Sequence, residues 1–76
     1  MTLAEAAMDA PVRVKNLFGL SGAEELRLSA LGLRVGVVVT KLIRTPLRDP
    51  IECLVGSQLL ALDAWLLERV TVETAQ

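Results

Sequence analysis

The segment from Leu28 to Pro50 constrains the fold more than any other part of this 76-residue chain. Gly32 follows a helical pattern, where a residue with positive φ closes the last turn, and the β-branched run 37–39 favours a strand. Pro46 and Pro50 each fix φ and lack an amide donor, so the chain between them must turn instead of continuing a central strand. We therefore predict a helix end, a central strand over about 37–44, and a rigid corner at 45–50.

The composition is typical of a chain that folds, and its small net charge gives little protection against association with other proteins. Hydrophobic residues make up 53% of the sequence, and eight basic and nine acidic side chains leave a net charge of −1. A chain this small hides only about 60% of its unfolded surface, so the core must be small. The interspersed charges do not form the basic patch that nucleic-acid binding requires. Near-neutral charge favours self-association or a partner protein.

The ends and the cysteine content point to the cytoplasm. No apolar run approaches the roughly 20 residues that a membrane-spanning helix needs. The first ten residues carry Glu5 and Asp9 and lack the basic region of a secretory signal. Cys53 is the single cysteine and cannot form an internal disulfide, which agrees with a reducing compartment.

The first third of the chain predicts a turn, a strand and a helix. Residues 2–8 suit a single turn or a loose tail that tucks Leu3 against the body. The alternation at 12–17 predicts a half-buried strand, with Val12, Val14 and, if the alternation persists, Asn16 on one face, and Arg13, Lys15 and Leu17 on the other. Ser21 and Glu24 match a capping box that begins a helix. The predicted apolar face of that helix consists of Ala23, Leu26, Leu28, Ala30 and Leu31.

The C-terminal part predicts three strands and a short helix. Strands at 51–55 and 58–62 flank Gly56-Ser57 as a tight turn, so strands two to four form a meander. Asp63 is an N-cap for a helix at 64–68, before a last strand at 69–73. One continuous helix over 59–67 is the alternative, and the capping aspartate argues against it. About five short strands suggest a barrel that closes to hide its sheet edges.

A family resemblance lies in the segment described first. The order L-x-x-L-G-L-x-x-G from Leu28 to Gly36, then a strand, then P-L-x-D-P-I from Pro46 to Ile51 resembles the FeoA family, small cytosolic accessory proteins of bacterial ferrous iron uptake. The pattern extends from 28 to 73. The resemblance implies one SH3-like domain over 1–76, mainly β, with one helix between the first two strands and a short helix before the last. The chain departs from the family pattern at Val35, Arg48, Gly56 and Asp63.

Few residues are suited to catalysis or metal binding. The chain has no histidine, so the serines have no base to activate them, and we predict no catalytic residue. Cys53 has no second cysteine or histidine beside it for a closed zinc site, and is predicted to be a buried strand residue, with Glu52 on the opposite face. We predict no metal and no cofactor site. Trp65 is predicted to fill the core.

The resemblance implies a function through contact. Its partner would be the membrane GTPase permease FeoB, and the partner-binding residues would be those of the corner, Pro46, Leu47, Arg48, Asp49 and Pro50. An apolar residue between two rigid prolines loses little entropy on binding. The frame would be held by Leu28, Leu31, Gly32, Val39 and Leu62. The alternative is a metal-responsive regulatory domain, similar to the SH3-like domain of iron-dependent repressors of the DtxR kind.

Overall fold

A computed structural model describes residues 1–44 and 50–75. Within them lie five strands and two helices, in the order β1 (Val12–Leu17), α1 (Gly22–Ala30), β2 (Val38–Arg44), β3 (Ile51–Val55), β4 (Gln58–Leu62), α2 (Ala64–Leu67) and β5 (Val70–Thr74). The predicted fold class is confirmed: the protein is mainly β, with one helix between the first two strands and a short one before the last.

The strands form one antiparallel sheet in the order β4-β3-β2-β1-β5. Strands β2, β3 and β4 are sequential neighbours, so the predicted meander is confirmed. The predicted central position of the second strand is also confirmed, because β2 has two strands on each side. Val38 and Val39 at its start are β-branched, as is typical of a central strand, and Val39 is buried.

The hydrophobic core draws on all the strands and on segments outside them. Val12 and Val14 of β1 are buried, as predicted, together with Leu33 after α1. Of the residues expected to hold the frame, Leu28, Val39 and Leu62 are buried. The prediction for Leu31 is wrong, because this side chain is 43% exposed.

Strand β1 departs from strict alternation at its end. The register with β5 pairs Val14 with Val72 and then Asn16 with Thr71, which marks a β-bulge at Lys15. A bulge inserts one extra residue and shifts the following side chains to the other face. Asn16 is therefore exposed and Leu17 packs against the core, so the prediction that placed Leu17 with Arg13 and Lys15 is wrong.

Helix α1 begins at the predicted capping box. The Ser21 hydroxyl accepts from the amide of Glu24 at 3.1 Å, and the Glu24 carboxylate accepts from the amide of Ser21 at 2.8 Å. The predicted apolar face is confirmed at Leu28, the buried residue of this helix, and is wrong at its other positions, where Leu26 is 74% exposed. Gly32 has φ of 100°, and this turn directs Leu33 into the core in place of Leu31.

The second half of the sheet follows the predicted turn chemistry. Gly56 has φ of 60°, the positive value that a type II′ hairpin turn needs at its first central position. Residues 58–62 pair with β3, so the alternative of one helix over 59–67 is wrong. The Asp63 carboxylate accepts from the amide of Leu66 at 2.8 Å, which confirms Asp63 as the N-cap of α2.

Residues 1–4 lie along the outer edge of β5, whereas the Asp9 amide donates to the Lys41 carbonyl of β2 at 2.7 Å. The Leu3 amide donates to the Val70 carbonyl at 2.7 Å, and the Met1 carbonyl accepts from the Val72 amide at 2.8 Å. Leu3 is fully buried, as predicted. The opposite edge strand, β4, has β3 as its one neighbour in the sheet. In the described chain, residues 1–4 therefore cover the β5 edge, and no strand pairs with the outer side of β4.

Candidate interaction surface

A groove of about 360 Å³ lies between α1, β4 and α2. Its floor is apolar and consists of the buried side chains of Leu28, Leu62 and Leu66. Arg27 and Asp63 are exposed and line the same groove, so it presents one positive and one negative side chain beside the apolar floor. An apolar cleft with a few charged groups can hold an apolar side chain of a partner and orient its polar flanks.

Leu31 and Leu60 complete the apolar lining of the groove. Leu31 is the C-cap of α1, and Leu60 is partly buried on β4. Sequence reasoning missed this groove because its residues come from three separate segments. The sequence feature that could have indicated the groove is the number of leucines in and just after α1, because one short helix cannot bury all of them.

The proline-framed corner joins β2 to β3, but residues 45–49 lie outside the residues that the structure describes. This applies to Pro46, Leu47, Arg48 and Asp49, whose predicted role in partner binding stays a prediction. Pro50 is described and is exposed. It precedes Ile51, whose cross-strand partner is Leu62, so the corner rejoins the sheet at the Leu62 end of the groove.

Trp65 does not fill the core, and this prediction is wrong. Its side chain is 46% exposed, because the short helix α2 directs Leu66 and Leu67 inward instead. The Arg69 guanidinium lies 3.9 Å from the centroid of the Trp65 ring and also donates to the Trp65 carbonyl at 2.8 Å. This cation–π contact holds a large aromatic surface in a fixed, accessible position.

Cys53 is fully buried and Glu52 is exposed on the opposite face, as predicted. Burial raises the pKa of the Cys53 thiol to about 11, although the nearby Lys41 ammonium acts in the opposite direction. A thiol with such a pKa is a weak nucleophile at neutral pH.

Lys41 itself is only 2% exposed, and its ammonium donates to the Ala4 carbonyl at 3.2 Å. It therefore ties residues 1–10 to the centre of the sheet, a role that sequence reasoning did not assign.

Within residues 1–44 and 50–75, no three histidine, cysteine, aspartate or glutamate side chains lie close enough to hold a metal ion together. No helix in the same part of the chain has the length and apolar character needed to cross a bilayer.

The family model described as the FeoA domain matches residues 1–74. No match was found among curated protein sequences. Solved structures supply the other comparisons.

Three solved structures illustrate the likeness. The FeoA protein from Chlorobium tepidum is 30% identical with a TM-score of 0.89, covering 100% of this chain and 71% of that protein. Iron(II) transport protein A from Clostridium thermocellum is 28% identical with a TM-score of 0.86 over 97% of this chain, which spans only 45% of that protein's length.

The third structure is FeoA from Stenotrophomonas maltophilia in complex with zinc, 28% identical with a TM-score of 0.77, covering 96% of this chain and 89% of that one. That protein is described as a prokaryotic SH3 domain protein, and a role as a ferrous iron transport activating factor has been suggested for it. A family model that matches nearly the whole sequence, together with these SH3-like neighbours, identifies the chain. It belongs to the FeoA family of iron transport proteins.

Proposed function

We propose that this protein is a non-enzymatic accessory protein of ferrous iron uptake, and that it acts by contact with the cytosolic domains of a FeoB-type membrane GTPase permease. The observation that carries the proposal is the FeoA match over residues 1–74. The function suggested for the S. maltophilia relative, activation of ferrous iron transport, supports it. A protein that activates a transporter must recognise it through a surface.

The groove between α1, β4 and α2 supplies one half of the proposed contact surface. Its buried leucine floor is already packed by the fold, so an apolar side chain of the permease could enter without reorganising the core. Central apolar pockets of this kind supply most of the binding energy in protein interfaces, while exposed rim charges mainly affect orientation and association rate. In this role, Arg27 and Asp63 would set the orientation of the bound segment.

The corner Pro46-Leu47-Arg48-Asp49-Pro50 supplies the other half of the proposed surface. Its C-terminal end, Pro50, leads into Ile51 beside Leu62, at one end of the groove. Leu47 and Arg48 are the residues proposed to touch the permease. Two prolines restrict the conformations of the free corner, which lowers the entropy lost on docking.

The test is a binding assay with the purified cytosolic domains of the permease. Leu47→Asp and Leu31→Asp should each weaken binding by at least about tenfold, because a carboxylate placed in an apolar contact must be desolvated. Leu26→Asp is the matched control: it makes the same change at an exposed leucine of α1 that does not line the groove. It should bind like the unaltered protein.

The three variants should all melt cooperatively, which separates loss of contact from loss of fold. Unchanged binding of both Leu47→Asp and Leu31→Asp would remove the corner and the groove from the contact surface. Absence of binding by the unaltered protein would end the proposal itself.

Anaerobic calorimetric titration with ferrous iron addresses the regulatory-domain alternative. A metal-responsive domain requires specific affinity for the ion, whereas contact with the permease does not. Tight, stoichiometric iron binding would favour the alternative.

A further inference from the structure

Strand β4 presents unused backbone groups along its outer side. The pair Val55–Gln58 closes the two-residue turn, and the next pairs are Leu54–Leu59 and Cys53–Leu60. Bonded and non-bonded pairs alternate along an antiparallel ladder, and the pair closing such a turn is bonded. The amide and carbonyl of Leu59, and likewise those of Ala61, therefore point away from β3. No backbone group in the described chain bonds to them.

Within residues 1–44 and 50–75, the edge lacks the usual protection against pairing with another strand. Natural edge strands carry lysine, proline, bulges or a covering segment. Strand β4, of sequence QLLAL, has no charge, no proline and an unbroken register with β3. Leu59 is 65% exposed on its outer face.

The strand is also complementary to itself. When two copies of β4 run antiparallel about a two-fold axis at Leu60, Leu59 of one copy lies opposite Ala61 of the other. The outward groups of these two residues then form a bonded pair that exchanges both hydrogen bonds, and this occurs on each side of the axis. The two Leu60 side chains meet at the axis, on the face that packs against the core.

Charge does not oppose this register. Asp63 would lie opposite Ser57 of the other copy, and the two Asp63 residues would be about 20 Å apart at about 3.4 Å per residue. On the outer face, Leu59 would lie between Leu54 of its own copy and Ala61 of the other copy, so its exposed apolar surface would be covered. The net charge of −1 adds little long-range repulsion between copies.

We propose that two copies of this protein join through β4, antiparallel about a two-fold axis at Leu60, to form one continuous sheet. The occupant of the open edge is thus a second copy of the chain. This dimer does not depend on the proposed contact with a permease, and its assay contains no permease.

The first experiment is sedimentation of the purified protein from about 1 µM to about 1 mM, a range over which a weak dimer becomes populated. We expect a monomer–dimer equilibrium. Leu59→Pro, which removes the outward amide at an edge position that tolerates proline, should weaken dimerisation by at least about tenfold, since each copy loses a hydrogen bond at the interface. Leu59→Lys is a second variant, which keeps the backbone donor. It should weaken dimerisation to a similar extent, because a lysine on an edge strand disfavours pairing with another strand.

Leu26→Lys is the matched control, because it places the same charge at an exposed leucine on α1, away from the edge. It should dimerise like the unaltered protein. Amide exchange provides the site-specific readout: the amides of Leu59 and Ala61 should become protected as the protein concentration rises. The Ala61 amide should lose this protection in Leu59→Pro, and the amides of residues 59 and 61 should both lose it in Leu59→Lys.

Two results would overturn the proposal. The first is a monomer at every concentration. In that case, protection of the Leu59 and Ala61 amides only after addition of the permease's cytosolic domains would identify a permease strand as the occupant of the edge. The second is a dimer in which these two amides exchange as in the monomer, because its interface would lie elsewhere.

Discussion

The two edges of the sheet differ although both belong to strands of five residues. The β5 edge is covered by residues 1–4, which donate to and accept from Val70 and Val72, with Leu3 fully buried beneath. Lys41 reinforces this cover from the middle of the sheet. The β4 edge has no such cover within the described chain, and Leu59 is exposed on the outer face of this strand.

This difference separates an edge that contributes to the stability of the fold from an edge that is available for association. A covered edge buries apolar side chains and satisfies backbone groups, so it contributes to the free energy of unfolding. An open edge leaves the same groups available for another chain. Changes near β5 should therefore alter stability, and changes on β4 should alter association.

The largest expected effect is that of Leu3→Ala on the covered edge. Because Leu3 is fully buried, truncation should lower the free energy of unfolding by about 2–5 kcal/mol, through lost burial and a cavity. Urea denaturation monitored by circular dichroism measures it. Leu59→Ala on the open edge, at concentrations where the protein is a monomer, is the control and should change stability by less than about 0.5 kcal/mol. Equal effects would contradict the distinction between the edges.

The second prediction concerns Cys53, which pairs with Leu60 of the open-edge strand. Because its pKa is raised from 9.0 to about 11, the thiolate fraction at pH 8 should be about a hundredfold lower than that of an ordinary thiol. Burial should slow its reaction further. Kinetics with an aromatic disulfide reagent measure the rate, with the urea-unfolded protein as the control. Labelling as fast as in the unfolded chain would show that β4 separates readily from β3.

The third prediction concerns α2, which connects the two edge strands. Asp63→Ala removes the acceptor of the Leu66 amide and should lower the free energy of unfolding by about 1 kcal/mol. Ser21→Ala, the same type of change at the N-cap of α1, should have a comparable effect. Thermal and urea unfolding of both variants provide the measurement. If only one of the two substitutions lowers the free energy of unfolding, water must replace the lost hydrogen bond at the N-cap of the other variant.

The smallest effect should be a loosening of the covered edge in acid. The Thr2 amide donates to the Glu5 carboxylate at 2.7 Å, and this hydrogen bond lowers the pKa of Glu5 below its ordinary value of 4.5. A lowered folded-state pKa means that the stabilisation is present above about pH 4.5 and is lost as the pH falls through the folded value. The Thr2 amide resonance should titrate in that acidic window, and Glu5→Gln should abolish the titration. The Leu59 amide should not follow it.

Much of the fold was predictable because local signals agreed with one another. The capping box at Ser21, the N-cap at Asp63 and the turn at Gly56 are short-range features whose chemistry requires no tertiary context. Errors arose where the competing influence was non-local. The bulge at Lys15 placed Leu17 against the core, and the turn at Gly32 buried Leu33 in place of Leu31.

The candidate surface was less predictable than the fold. The corner was identified from its prolines and from the family resemblance, and four of its five residues lie outside the described part of the chain. The groove escaped notice because it requires α1, β4 and α2 to be neighbours. Trp65 was misplaced because a four-residue helix can bury only part of its surface, and the two leucines after the tryptophan occupy that part.

The sequence alone determined the element order, the caps, the turn and the family resemblance, because these depend on spacing and residue type over a few positions. Only the tertiary structure decided which edge of the sheet residues 1–4 would cover, and therefore which strand would remain open. That choice depends on contacts between residues such as Leu3 and Val70, far apart in the chain, whose complementarity no local pattern records.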